Sequence, residues 1–433
     1  MVARRVAVVG GGLAGLAAAV ALKERGWNVE IFERSRLIGG RATSFELDGH
    51  EVDNGQHVFL ACCTEFIDFV DRIGMAHHLH LQDRFDVVAL SKSGVSSRLR
   101  AASLPAPLHL IASFLRYRHM GFASRLQVAS ALMRIRAAEG SSESFLTWLK
   151  RHGQSDEAIR AFWDPFVVPA LNASLERVTA GDAAFVIVNA FLSDAGAARF
   201  GWSTIPLAHI MQAAAQRADA VHSSTPVFSV EMPQDGPVSL TTAERTSRFD
   251  AVVLAVGPAQ LGRLLGNANR FGIRDLDRFE PKPIVDIHLW YDGTALPFDF
   301  AALIDSPVQW VFQKDRGYLC CSVSAADEYL TMDTAELTAL AWREVQQTIR
   351  ELGNAKLVRS AVTRNPNATY LPEPGVTRPP ARTLQTNVAI AGSWTETGWP
   401  DTMESAVRSG RNAARALDEV QAPTHIGEVS AIG

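Results

Sequence analysis

Arg5-Val-Ala-Val-Val9, then Gly10-Gly11-Gly12-Leu13-Ala14-Gly15, then an Ala- and Leu-rich run to Arg25 open the chain, and their order decides the fold. An apolar strand that turns through glycines into a helix presents the helix's free first-turn N–H groups and its dipole to a phosphate. Gly10 permits the tight turn, Gly12 lets a pyrophosphate approach the backbone, and Gly15 lets helix and strand pack closely. A second strand, Trp27-Asn-Val-Glu-Ile-Phe32, ends in Glu33, eighteen residues past Gly15. A carboxylate there accepts hydrogen bonds from an adenosine ribose. Strand, glycines, helix, second strand and acid, in this order, predict a dinucleotide site on a Rossmann-like α/β domain.

Working outward, 433 residues with 47% hydrophobic content suffice for one or two full cores. The net charge of −4 and the absence of a dense basic motif point away from nucleic acid as a partner. The four cysteines form two adjacent pairs, Cys62-Cys63 and Cys320-Cys321, without metal-ligand or Cys-x-x-Cys spacing. No metal is expected, and a reducing cytoplasm fits. The apolar N-terminus is interrupted by glycines, and no run reaches the roughly 18 apolar residues of a membrane helix.

Six residues past Glu33 stands Gly39-Gly40-Arg41, followed by Asp53-Asn54-Gly55-Gln56-His57. At the far end Val388-Ala-Ile-Ala-Gly392 reads as a strand entering a glycine turn, and Gly398 to Gly410 as a turn followed by a helix. In these features the sequence resembles flavoproteins of the amine oxidase and phytoene desaturase group, which implies FAD. The resemblance places the cofactor against Gly10, Gly12, Leu13, Ala14, Gly15, Glu33, Arg34, Gly40, Arg41, Gln56, His57, Val227, Gly392, Ser393 and Met403. One departure is that this group usually has Gly-Asp where this chain has Gly392-Ser393, a carboxylate that normally bonds the ribitol or pyrophosphate of FAD.

The remaining pattern predicts a substrate domain interleaved with the first. The FAD domain is expected over 1–85, 221–269 and 381–420, the substrate or cap domain over 86–220 and 270–380, and a flexible tail over 421–433. Residues 86–220 read as mostly helical, from apolar spacing near 3.6 at Leu108–Leu115, Leu126–Ile135, Phe145–Leu149 and Ala183–Leu192. Phe162-Trp-Asp-Pro-Phe-Val-Val-Pro-Ala-Leu-Asn172, with two prolines, reads as a pocket wall or core turn. Ile284–Tyr291, Val308–Phe312 and Tyr318–Val323 read as strands, Leu337–Leu352 as a helix, and Pro366–Pro380 as a proline-rich connector.

From Val87 to Ala138 there are eight basic residues, Lys92, Arg98, Arg100, Arg116, Arg118, Arg125, Arg134 and Arg136, and no acidic one, which leaves a formal −12 on the rest. Inside this stretch Leu104–Leu115 is nearly all apolar. An apolar run flanked by arginines suits a surface facing anionic lipid, with Leu108, Ile111, Phe114 and Leu115 dipping in. A buried helix with a solvated basic edge gives the same pattern. The expected place is the cytoplasm, peripheral at the inner face of its membrane.

The Asp53–His57 cluster, Trp163–Asn172, and Ala391-Gly-Ser-Trp-Thr-Glu-Thr-Gly-Trp-Pro400 with Glu404–Gly410 together resemble the squalene-associated FAD-dependent desaturases, understood as hydroxysqualene dehydroxylases. That resemblance implies reductive removal of the hydroxyl of hydroxysqualene, giving squalene for hopanoid synthesis. Such a site needs a proton donor, for which His57, Glu396 and Asp401 are the candidates, and aromatic walls, for which Trp163, Phe166, Trp310, Trp394 and Trp399 are the candidates. Loop bonding for His57, helix caps for the two acids and core packing for the tryptophans remain open. Other activities on the same fold are a carotenoid or squalene desaturase or isomerase, an amine oxidase, and a non-enzymatic prenyl-lipid carrier.

Overall fold

Arg5–Val9 is the middle strand of a five-stranded parallel sheet in the computed structural model, which describes residues 3–47, 49–233 and 236–419. The tail expected over 421–433 lies outside the described residues. The strand order is Ala220–His222, Asn28–Phe32, Arg5–Val9, Ala251–Leu254, Val388–Ile390. Val6, Ala7 and Val8 are fully buried because both faces are covered, which is why this strand is an unbroken apolar run. Helices Leu13–Glu24, Leu207–Ala215 and Met403–Glu419 pack on one face, and a small antiparallel sheet of Ser229–Glu231, Val238–Thr241 and Thr246–Phe249 covers the other. The first and last helices meet backbone to backbone: a Cβ on Gly410 would stand 2.3 Å from the Ala14 carbonyl oxygen. Leu207, Ile210, Met211 and Ala214 sit in this first core, so residues from about 205 to 220 pack with the FAD domain and not with the cap. Apolar spacing reports a buried face without saying which core receives it.

The second body is a seven-stranded mixed sheet, Lys356–Pro372, Phe279–Asp292, Tyr318–Ser324, Trp310–Asp315, Phe300–Ile304, Asp86–Ser91 and Ser96–Arg100. Helix Thr334–Thr348 covers one face through Leu337, Ala341 and Val345. The helices between Leu108 and Leu192 gather against part of the other face. The start of the inserted segment therefore departs from the helical reading: residues 86–100 form a hairpin that extends the sheet edge.

Two proline-based readings also change. Asp164–Leu171 is a helix, preceded by a π-helical turn over Ile159–Trp163 and ended by Asn172 at φ 51°. Pro165 cannot donate to the turn before it, and the Ala161 carbonyl there accepts instead from Tyr117 Oη at 2.7 Å. Pro169 cannot donate to the Pro165 carbonyl, and that oxygen accepts instead from Trp310 Nε1 at 2.9 Å. The connector expected from Pro366 is, up to Pro372, the end of a long strand; Pro366 falls at a register shift opposite Pro283, where the ladder does not need its N–H.

Candidate functional site

The glycine turn has the shape that a dinucleotide needs. Cβ atoms on Gly10 and Gly15 would stand 2.3 Å from the Ala255 oxygen and 2.0 Å from the Gly10 oxygen, so these two glycines build the strand-to-helix turn. A Cβ on Gly12 would meet nothing closer than 3.9 Å, and Gly12 caps the helix with no side chain. That open space over free N–H groups fits a pyrophosphate. Leu13 and Ala14 continue the helix from it. Glu33 ends its strand nearly buried, with carboxylate oxygens accepting from Gly11 N–H and Ser35 N–H, each at 2.7 Å. Arg34 beside it is exposed, and Val227 lies just past Thr225, whose N–H bonds the Glu33 carbonyl.

Gly39-Gly40-Arg41 comes back against this turn through the Gly39 N–H to Gly11 oxygen bond at 2.8 Å. Arg41 then ties three distant segments together: it bonds the Ala368 carbonyl at 2.8 Å, Ser393 Oγ, and both oxygens of Asp401 at 3.2 and 3.3 Å. Asp401 also accepts the Tyr370 N–H at 2.7 Å. Its oxygens are engaged as an anchor for Arg41, a role that does not suit a proton donor. Glu396 is exposed and accepts from Gly398 N–H within its own turn. His57 Nδ1 meets the Gly55 carbonyl at 2.9 Å, and burial holds the ring below the usual imidazole range. Each of the three acid candidates thus has hydrogen-bond partners of its own. Ser393 is buried beside Arg41, Gly392 takes φ 159° with its N–H on Ser409 Oγ, and Met403 begins the last helix.

Beside the Asp53–His57 loop opens a cleft of about 500 Å³, walled by Trp202, Phe300, Phe312 and Tyr318 together with Asp53, Gln56 and Lys314. This size is ordinary for a small-molecule site. None of the five expected aromatics lines it. Trp163 is fully buried and donates to Gln154 Oε1, and Trp394 is buried in the FAD-domain core, donating to the Val256 carbonyl. Trp310 is buried one layer behind the wall, stacked on Phe312, with half-buried Phe166 against it. Trp399 packs edge-on to Phe185 beneath Arg408. A single tryptophan gives no sequence signal for which side of a helix or turn it will face.

Asp53 and Gln56 of the cleft were singled out in the sequence; Lys314 and Tyr318, which join them, and Asp286 and His288 on the adjoining strand were not. Lys314 Nζ reaches Asp53 Oδ2 at 3.4 Å and Gln56 Oε1 at 3.3 Å. Burial alone would raise Asp53, but Lys314, the Ser44 hydroxyl and the Leu207 N–H hold it below the usual carboxylate range. On Phe279–Asp292, side chains alternate: Val285, Ile287 and Leu289 enter the core under helix Thr334–Thr348, while Asp286 and His288 take the other face. Burial pushes His288 down to about 4 and pushes Asp286 up to about 6. His288 Nδ1 lies 2.8 Å from Tyr318 Oη. The available signal was the alternation in Ile284-Val-Asp-Ile-His-Leu-Trp-Tyr291, where polar residues interrupt an apolar strand at every second position.

The family of flavin containing amine oxidoreductases matches residues 13–418 of this chain. A hydroxysqualene dehydroxylase of Zymomonas mobilis is 26% identical over 94% of this chain and 97% of its own. A zeta-carotene desaturase of Arabidopsis thaliana is 24% identical over 95% of this chain and 84% of its own. Among solved structures, a putrescine oxidase with redesigned cofactor binding superposes with a TM-score of 0.76 at 18% identity, covering 96% of this chain and 99% of that one. FAD is the cofactor that the groove described above accommodates. The chain therefore belongs to the flavin containing amine oxidoreductases, as an FAD-dependent oxidoreductase with that fold.

Proposed function

We propose that this protein removes the allylic hydroxyl of hydroxysqualene, releasing squalene and water, and that it takes its substrate from an anionic membrane surface. The observation that carries this reading is the distribution of exposed apolar side chains. Among the described residues eleven large hydrophobics are exposed, and seven of them, Leu104, Leu108, Ile111, Leu115, Phe122, Leu126 and Met133, lie in one stretch. The basic residues there fall into two groups. Lys92 pairs with Glu344, and Arg98 and Arg100 pair with Asp86, so that end is neutralised. Arg116, Arg118, Arg125, Arg134 and Arg136 make no ion pair among the described residues, which leaves five cations around the apolar strip. An apolar patch ringed by uncompensated arginines suits anionic lipid, and a substrate dissolved in lipid is what such a surface serves. No helix among the described residues is long and apolar enough to cross a membrane. Phe114, expected in the lipid, is turned inward onto Phe162 at 5.6 Å, because its neighbours Ile111 and Leu115 occupy the outer side of the turn.

Reduced FAD, when bound, supplies the hydride. The protein's own residues orient the isoprenoid along the aromatic wall of Trp202, Phe300 and Phe312, exclude water from the allylic carbon, and protonate the departing hydroxyl. The similarity to a carotene desaturase keeps a second reading, desaturation of a related isoprenoid. Incubating the reduced holoenzyme with hydroxysqualene in anionic vesicles, and the oxidised holoenzyme with a carotene precursor, separates the two. Squalene from the first incubation supports the dehydroxylase; new conjugated double bonds in the second, with no squalene in the first, overturn it.

A further inference from the structure

Lys314 stands out once the donors around the cleft are traced one by one. The register between Trp310–Asp315 and Tyr318–Ser324 shifts between Gln313 and Asp315, so Lys314 is the bulged residue of its strand and has no partner across the ladder. A bulge re-aims the side chain it carries, and this one lines the cleft. Among the described residues Lys314 is the only lysine or arginine there, and Glu51, Asp53, Asp299 and Asp315 supply only negative charge. The hydroxyl groups of the cleft are already taken: Ser203 Oγ donates to the Ile205 carbonyl at 2.6 Å, Thr204 Oγ1 to the His78 carbonyl at 3.0 Å, and Tyr318 Oη lies 2.8 Å from His288 Nδ1. The Lys314 ammonium is held more loosely. Its contacts with Asp53 Oδ2 at 3.4 Å and Gln56 Oε1 at 3.3 Å are longer than the about 2.8 Å of a charge-assisted hydrogen bond. An ammonium has three donors, so one N–H is left over.

The loop that faces Lys314 is fixed from behind. Asp53 Oδ1 accepts from the Ser44 hydroxyl at 2.7 Å and from the Leu207 N–H at 3.1 Å, which leaves Oδ2 to the lysine. The next residue, Asn54, donates from Nδ2 to the Gly40 carbonyl at 3.4 Å, so one loop joins the Gly39-Gly40-Arg41 turn to the polar end of the cleft. Trp202, Phe300 and Phe312 supply the apolar part. A loosely held ammonium with a spare N–H, in a cleft otherwise lined by rings, acids and engaged hydroxyls, suits a single accepting oxygen on an apolar ligand. We propose that Lys314 is a catalytic residue whose ammonium binds the hydroxyl oxygen of the substrate and protonates it as it leaves, with Asp53 and Gln56 as positioning residues. This rests on the dehydroxylation reading. An N–H bond of Lys314 breaks as an O–H bond forms, the C–O bond breaks with its electron pair on oxygen, and water departs. The allylic carbon is closed by the hydride already assigned to reduced FAD, which is thereby oxidised, and the exposed Lys314 amine regains a proton from solvent.

The test uses the FAD-loaded full chain and the variants Lys314→Met, Lys314→Arg and Lys314→Ala. All three should keep their flavin, since the Asp53 bonds to Ser44 and Leu207 remain. In detergent, Lys314→Met should bind squalene as the wild type does but lose roughly ten- to a hundredfold in affinity for a long-chain isoprenoid alcohol, the range for a hydrogen bond to a charged group. With hydroxysqualene its kcat should fall about 10²-fold or more, the usual contribution of a positioned acid. Lys314→Arg, whose guanidinium binds an oxygen without giving up its proton, should keep KM near the wild-type value and lose kcat to a similar extent. Ethylammonium should restore part of the rate of Lys314→Ala, and tetramethylammonium, which has no proton to give, should not. Should Lys314→Met fail to fold, the split between KM and kcat in Lys314→Arg decides. A kcat equal to the wild type in Lys314→Met or Lys314→Arg, or equal rescue by the two ammonium ions, overturns the proposal. A wild type that makes no squalene refutes the reaction instead, and Lys314 is then judged by binding: an unchanged preference of Lys314→Met for the alcohol over squalene overturns its part in holding the hydroxyl.

Discussion

Single residues in the groove divide into those that shape the fold and those that face the ligand, and the difference is measurable. Any side chain on Gly10 or Gly15 collides with backbone at 2.3 Å or less, so those positions cannot report on FAD alone. Gly12 can: it has an extended backbone at φ −75°, and its Cβ would enter open space. Gly12→Val should therefore fold with wild-type circular dichroism but purify colourless, because its methyl groups take the place of the pyrophosphate. A folded variant with full flavin absorbance would refute the site. Asp286 makes a stability prediction of the same kind. Its folded value near 6 lies above the unfolded value of 3.8, so the stability it contributes is fully present below the unfolded value and is lost as pH rises through about 6. At pH 7 the buried carboxylate then costs about 3 kcal/mol, from a shift of roughly 2 units at 1.36 kcal/mol each. Asp286→Asn should unfold later than the wild type in urea at pH 7, with the gap narrowing toward pH 4.

At the scale of elements, the segment from Leu104 to Arg136 shows how a helix can be apolar on two sides. In helix Phe122–Arg134, Ser124, Val128 and Ala131 are buried, while Phe122, Leu126 and Met133 are exposed on the opposite side. Burial against the protein explains only the first row. Arg116 and Arg118, both exposed, flank the strip at its turn. Each arginine near an anionic surface contributes about 1 kcal/mol, so changing both to Glu removes attraction and adds repulsion, up to about 4 kcal/mol or roughly 10³-fold at low salt. Vesicle cosedimentation should show that loss, and the difference should shrink in high salt by screening. Flavin content and activity on detergent-dispersed substrate should change little. Equal vesicle binding by both proteins would leave the strip without its membrane role.

Across the whole molecule, the groove is closed by segments that are far apart in the chain. Arg41 bonds residues at 368, 393 and 401, and the last helix lies across the first at Gly410. A ligand held by so many segments should stabilise both bodies together. At a hundredfold excess over its dissociation constant, FAD adds about 2.7 kcal/mol. For a chain of 433 residues that is about 3 °C in Tm, from an unfolding entropy of about 2.1 cal/mol/K per residue. Calorimetry of apo and FAD-loaded protein should show one transition moving upward. Two transitions of which only one moves would mean that the substrate domain unfolds separately.

Local chemistry is what the sequence could determine by itself. The first strand, its glycine turn, Glu33, the Gly-Gly-Arg return and the closing C-terminal helix were legible because each depends on neighbours within a few residues: a positive φ, a free N–H, a strand end. The same holds for the acid-free basic stretch, since charge needs no fold to be counted. What depends on the partner across a sheet was not legible. Asp286, His288, Lys314 and Tyr318 come from three strands and meet only after pairing, with Asp286 opposite Ser322 and His288 opposite Cys320. Trp163, Trp310 and Trp394 were candidates for pocket walls with core packing left open, and the fold places them in cores, because a large apolar ring goes wherever tertiary packing leaves no water. Lys92, Arg98 and Arg100 lost their excess charge to Glu344 and Asp86, acids that lie outside the counted stretch. The cofactor's cradle was thus written in short-range backbone geometry, whereas the cleft proposed for the substrate and the buried Asp286 carboxyl came into being only when distant strands were brought side by side.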